Sequence, residues 1–275
     1  MNKRKLLVKH PNLPTENKAK QIYFLCAMPR SGNTLFSSIM NQNPDVVVTP
    51  NSLTLEIMKE LFLLKKIDTF QNFPDEQSLN NVMDEVYNLY YKHWNYKVII
   101  DRGPVCTPGN LKVMHKHFKQ PIRCVVLVRD LLDVLASYIK WFETEPTAFV
   151  NKYGCKNIEE KLSKIMNKNG AVAKELMSIQ YLLQHPEMAV FVKYNDLVQN
   201  PEQELRKVYT FLNLPYFSHR FTNLNQITVN GLSYNDNVVG NNMHTIRTQN
   251  VHKVDNPYKH MIPKRFIKEY GHIRF

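Results

Sequence analysis

The chain has 275 residues, 43% of them hydrophobic and 22% charged, a balance that suits a folded globular protein and excludes a disordered or collagen-like one. No apolar run approaches the roughly 18 residues of a membrane span, and residues 1–7 are basic without a long apolar core before Pro11 and Pro14, so no signal peptide is expected. The net charge of +12 favours an anionic ligand without choosing between a nucleotide, a glycan and a nucleic acid, because the basic residues are spread along the chain beyond the single block Lys3-Arg4-Lys5. Four cysteines, Cys26, Cys106, Cys124 and Cys155, lack C-x-x-C spacing; Cys26 and Cys124 lie in apolar runs and read as buried thiols in a reducing, cytoplasmic setting.

Residues 1–20 are polar, carry two prolines and read as a loose arm, followed by one domain over 21–275. The first strand is expected at Gln21–Ala27 and the first helix at 33–41, ending before Pro44; 46–49 reads as a short second strand. Ser52 is the expected N-cap of a helix carrying Leu55, Met58, Leu61, Phe62 and Lys65. Residues 75–94 place Leu79, Val82, Met83, Val86, Leu89 and Tyr90 at helical spacing.

A third strand at 97–100 runs into Asp101-Arg102-Gly103-Pro104, and 111–118 is helical. The near-continuous apolar run 122–128 reads as a strand of a parallel sheet, buried on both faces. Then come a helix at 131–142 capped by Asp130, a long helical region at 158–184 broken near Gly170, a strand at 188–193 and a helix at 201–212. Alternating strands and helices predict an α/β fold with a doubly wound sheet of mainly parallel strands. After Pro215 the chain is polar and weakly periodic, and is expected to form irregular structure over the cleft.

Ligands in such folds bind beyond the carboxyl ends of the strands. Ala27-Met-Pro-Arg-Ser-Gly-Asn-Thr34 falls there, between the first strand and first helix, where backbone N–H groups and a helix N-terminus make an anion site. Against the Walker pattern G-x-x-x-x-G-K-[ST], Gly32 and Thr34 match, Ala27 replaces the first glycine and Asn33 replaces the lysine. Arg30 is the one cation inside the loop. A phosphate cradle without its lysine points to a nucleotide used for something other than Mg²⁺-assisted phosphoryl transfer.

Pro29-Arg-Ser-Gly-Asn-Thr-Leu35 resembles the 5′-phosphosulfate loop of the sulfotransferases that use 3′-phosphoadenosine 5′-phosphosulfate (PAPS), in the arginine form found in the tyrosylprotein sulfotransferases and their bacterial and viral relatives. Val125-Val-Leu-Val-Arg-Asp130 followed by Ser137 is similar to that family's 3′-phosphate motif, and Phe191-Val-Lys-Tyr-Asn-Asp-Leu197 with Pro201 is similar to its Y-E-D-L segment. The resemblance runs from about Gln21 to Pro215, with a looser echo after His244. It implies a P-loop-type sulfotransferase that moves a sulfuryl group from PAPS to a hydroxyl or amine, in line and without a metal, releasing the bisphosphate PAP. The acceptor it implies is a glycan, small molecule or peptide; nucleic acid is not the expected partner.

On that resemblance, Arg30 and the Ser31, Gly32, Asn33 and Thr34 segment hold the 5′-phosphosulfate, Arg129 and Ser137 the 3′-phosphate, and Tyr194 lies near the adenine. Arg247, in His244-Thr-Ile-Arg247, closes over the phosphosulfate, and Arg102 approximates the cation that neutralises the departing phosphate. As an Arg it serves as an electrostatic clamp and not as a proton donor. The acceptor hydroxyl also needs a base. The tyrosylprotein enzymes use a Glu in a G-E-E-T stretch, where this chain has Thr49-Pro-Asn-Ser52 and no carboxylate; Glu56 is the first candidate, followed by Asp101, His93 and His244. Two other readings remain open on the sequence: a P-loop nucleotide kinase, and a basic nucleic-acid-binding protein with a degenerate nucleotide site.

Overall fold

The computed structural model describes residues 20–238, 240, 243–246, 250–252 and 257–275. The expected N-terminal arm and Arg247 lie outside the described residues, Lys20 apart.

The apolar runs build a five-stranded sheet: β1 (Gln21–Ala27), β2 (Val46–Asn51), β3 (Val98–Arg102), β4 (Cys124–Val128) and β5 (Ala189–Lys193). The order is β2-β3-β1-β4-β5 and every pairing is parallel. Side-chain alternation along each strand sorts the core onto two faces. Ile22, Phe24 and Cys26 pack with Ile99, Cys124 and Val126 on one side, while Tyr23, Leu25 and Ala27 pack with Ile100, Val125 and Val192 on the other.

Helices cover both faces, as the doubly wound reading requires. The helix α1 (Asn33–Met40) packs Phe36 and Ile39 on the second face. On the first lie α2 (Thr54–Leu63), α4 (Glu76–Tyr90), α5 (Pro108–His117), α6 (Leu131–Thr144), α7 (Ile158–Met166) and α8 (Ala171–Gln184), with the short α3 (Asp68–Asn72) at the periphery. Next come α9 (Tyr194–Gln199) and α10 (Pro201–Phe211) on the second face, and late in the chain α11 (Lys264–Tyr270) on the first. Among the described residues no helix is long and apolar enough to cross a membrane.

Several local details depart from the sequence reading. Ser52 is not the cap of α2: the cap position is Leu53, and the Ser52 hydroxyl instead lies 2.8 Å from Thr54 Oγ1. The third strand includes Asp101 and Arg102, because both extend the ladder to β1. The region 158–184 does break near Gly170 as expected, into α7 and α8, and glycine is needed there because a Cβ would stand 2.2 Å from the Ile165 carbonyl oxygen. Tyr194 opens a helix directly after β5, and α11 lies in the stretch read as irregular. That stretch also holds a small hairpin of β6 (Thr228–Val229) and β7 (Leu232–Ser233), turned by Asn230 and Gly231 at positive φ. Cys26 and Cys124 are buried as expected, and Cys106 joins them with its Sγ 3.7 Å from that of Cys124.

Candidate active site

The chain leaves β1 toward α1 on one face of the sheet and leaves β4 toward α6 on the other. The two strands are neighbours, so their loops part and open a crevice at the carboxyl edge. A cavity of about 200 Å³ fills it, lined by the 29–35 loop, Arg102 of β3, Arg129 after β4, Ser137 and Lys140 of α6, Tyr194 of α9, and Met243, His244, Thr245, Ile246, Asn250 and His252 from the late segment.

The loop is shaped by left-handed backbone at Arg30 (φ 68°) and Gly32 (φ 96°). Its buried side chains hold that shape. Ser31 Oγ donates to the Met28 carbonyl at 2.5 Å, and Asn33 Nδ2 donates to the same carbonyl at 3.3 Å. Asn33 in place of the Walker lysine is therefore part of the loop's own frame. The first-turn amides of α1 lack intrahelical acceptors by construction, and no acidic residue stands in that turn to compete for an anion. Gly32 is required twice: its φ favours glycine, and a Cβ there would stand 2.9 Å from the Tyr194 ring.

Two arginines tie the loop to the elements around it. Arg129 Nη1 donates to the Arg30 carbonyl at 3.0 Å, and its guanidinium lies 4.2 Å from the centroid of the Tyr194 ring. Arg129 Nε is buried and makes no hydrogen bond to a described residue. Arg30 Nε donates to Ser137 Oγ at 3.0 Å, and its Nη1 donates to the Met243 carbonyl at 3.1 Å.

On the far side, Arg102 Nη1 donates to Tyr234 OH at 3.3 Å, and the Tyr234 ring stacks on His244 at 3.9 Å between centroids and 5° between planes. His244 Nδ1 lies 2.6 Å from Asp236 Oδ1, while its backbone N–H donates to Asp236 Oδ2 at 2.9 Å. Burial pulls the His244 pKa down, opposed by the bond to Asp236 and reinforced by Arg102 and Arg30.

Of the four residues considered as the base, His244 alone lines the cleft. Glu56 is exposed on α2 and His93 is exposed after α4. Asp101 is fully buried and accepts from Thr49 Oγ1 at 3.1 Å and Thr54 Oγ1 at 2.5 Å, so it ties β2, β3 and α2 together beneath the cleft. Burial raises its pKa, and the surrounding hydroxyls oppose the shift. Arg30, Gly32, Asn33, Thr34, Arg102, Arg129, Ser137 and Tyr194 all meet at the cavity; Ser31 is buried behind the loop and does not line it. Lys140, one helical turn after Ser137, was missed because a lysine on an amphipathic helix carries no signal of its own.

A model described as the sulfotransferase family matches residues 23–218. The chain belongs to that family. Sulfuryl transfer is the family's general activity. The sulfotransferase domain of the Synechococcus PCC 7002 olefin synthase shares this sulfotransferase's fold, with a TM-score of 0.52 at 14% identity over 97% of this chain and 100% of that one. The sulfotransferase domain from the curacin biosynthetic pathway gives 0.48 at 20% identity, over 74% of this chain and 76% of that one. Mouse sulfotransferase SULT7A1, solved in complex with PAP, gives 0.45 at 13% identity, over 75% of this chain and 63% of that one. Comparison with curated protein sequences finds no match.

Proposed function

We propose that this sulfotransferase takes its sulfuryl group from PAPS and passes it to the hydroxyl of a glycan, small molecule or peptide. The observation that carries the reading is a pair of adjoining anion sites. One is the α1 N-terminus with Arg30; the other is Arg129 with Ser137. A hydrogen bond from Arg129 to the Arg30 carbonyl and one from Arg30 to Ser137 link them. A donor with phosphate groups at both 5′ and 3′ positions fits two such sites. The buried Arg129 Nε, without a described partner, suits a phosphate oxygen.

In this reading the first-turn amides of α1 and Thr34 hold the 5′-phosphosulfate, and Arg129, Ser137 and Lys140 hold the 3′-phosphate. Tyr194 is 9% exposed and lies against Arg129 and the Gly32 backbone, so its role is to buttress both sites. Arg30 and Arg102 supply positive charge where the bridging oxygen becomes a phosphate oxygen, which is where charge develops as the S–O bond breaks. A nucleotide kinase needs carboxylate at its phosphates to hold Mg²⁺. The described lining residues include Arg30, Arg102, Arg129 and Lys140 and no Asp or Glu, which favours sulfuryl over phosphoryl transfer.

Incubation with sulfur-labelled PAPS and a panel of glycans, phenols, alcohols and peptides tests the proposal. Label should move to at least one hydroxyl acceptor with release of PAP. Transfer of phosphate from ATP to the same panel, with none from PAPS, would refute it.

A further inference from the structure

Sulfuryl transfer to a hydroxyl needs a group to take the acceptor's proton, and the late segment carries one. We infer that His244 is the proton acceptor of this enzyme and that Asp236 is the residue that positions it. The inference rests on the sulfuryl-transfer reading above and adds the group that activates the acceptor.

Three observations carry it. First, His244 lines the cleft with Arg30 and Arg102, the two cations assigned above to the leaving oxygen. Second, the Asp236 carboxylate uses both oxygens on the same residue, Oδ2 for the backbone N–H of His244 and Oδ1 for Nδ1. A carboxylate at Nδ1 holds the proton there and leaves the Nε2 lone pair to accept. Third, the ring is fixed in plane by Tyr234, whose hydroxyl accepts from Arg102, so one chain of contacts relates the base to the clamp on the leaving group.

The charged groups acting on the imidazole are Asp236, Arg102 and Arg30; burial and the two arginines favour the neutral ring, and Asp236 opposes them. A neutral ring is the form that accepts a proton. In the step, the acceptor oxygen bonds to sulfur and its proton moves to His244 Nε2. The bond from sulfur to the bridging oxygen of the 5′-phosphosulfate breaks, and its electron pair stays on that oxygen as a phosphate oxygen of PAP. The imidazolium then releases the proton to solvent.

The test joins spectroscopy to kinetics. In wild-type protein labelled with ¹⁵N in its histidine rings, His244 should be neutral at pH 7.5 and protonated at Nδ1. In Asp236→Asn the amide oxygen remains with the backbone N–H and the amide NH₂ faces Nδ1, so the proton should shift to Nε2. Turnover of labelled PAPS, with water and the hydroxyl panel as acceptors, should fall about 10²–10⁴-fold in both His244→Gln and Asp236→Asn, the range for a lost proton acceptor. PAP affinity should stay within about threefold of wild type in both, since neither residue is assigned to a phosphate. A wild-type His244 that is an imidazolium at pH 7.5, or that carries its proton on Nε2, would overturn the inference, as would full turnover by His244→Gln. Failure of the donor reading is separately visible, as wild-type protein that does not bind PAP.

Discussion

Arg30 and Ser137 are 107 residues apart in the chain and joined by one hydrogen bond of 3.0 Å from the arginine Nε to the serine hydroxyl. The bond crosses from the loop after β1 to the helix after β4, the two elements that part at the crevice. The residue proposed at the reacting sulfur is therefore held by a residue proposed at the unreactive 3′-phosphate. Anything that anchors one bears on the other.

This coupling sets the expected kinetics of the arginines. Arg30→Ala should lower kcat by roughly 10²–10³, the cost of one lost transition-state donor. Arg129→Ala should mainly raise the KM for PAPS, because it removes binding felt equally in ground and transition states. A smaller loss of kcat should accompany it, since Arg129 also holds the Arg30 carbonyl. Steady-state kinetics with PAPS varied at saturating acceptor separates the two; a KM-only effect of Arg30→Ala would show that the loop does not face the sulfur.

Gly32→Ala should abolish measurable PAP binding at concentrations that saturate wild type. The added methyl would meet the Tyr194 ring at 2.9 Å, and the backbone there has φ 96°. Moving Tyr194 also moves the guanidinium of Arg129 that rests on it. Isothermal titration with PAP checks this. Unchanged affinity would mean that Tyr194 yields without disturbing Arg129.

Asp101→Ala should destabilise the fold by about 1–3 kcal/mol or more, the cost of leaving buried hydroxyl donors without an acceptor. Thr49 and Thr54 would each lose the carboxylate that accepts from their hydroxyls, and Thr54 would keep only Ser52 beside it. Urea unfolding measures it. A variant as stable as wild type but without turnover would return Asp101 to the list of candidate bases.

His219 gives the fold a pH dependence. Burial lowers its pKa to about 4, and its Nε2 lies 3.0 Å from the hydroxyl of Tyr209. The unfolded chain binds a proton near the ordinary value of about 6.5. Between these two values the unfolded state holds more protons, so stability should fall as pH drops from about 6.5 to about 4. His219→Gln should show a shallower decline in melting temperature over that window. An identical slope would assign the decline to other groups.

How much of this was legible in the sequence depends on how local the cause was. The β1–loop–α1 unit could be read because an apolar run, Gly32 and a second apolar period lie within twenty residues. Arg129 followed from the buried strand before it. The phase of α2 was also on the page: Leu55 and Met58 are buried, and Glu56, one residue past Leu55, is turned about 100° away and faces solvent. Ranking it first as base gave the family's position more weight than the helix period. The His244–Asp236 pair could not be read that way, since eight residues of low periodicity say nothing about which side chains meet. Lys140 needed the crevice itself to give it a role.

Titration of the enzyme with PAP, adenosine 3′-monophosphate and AMP tests the central claim most directly. That claim is that two linked anion sites select a nucleotide bearing phosphate at both positions. PAP should bind at least about tenfold more tightly than either monophosphate, the factor that corresponds to about 1.4 kcal/mol, and Arg129→Ala should remove the preference for PAP over AMP. Equal affinities for PAP and AMP in wild-type protein would contradict the account.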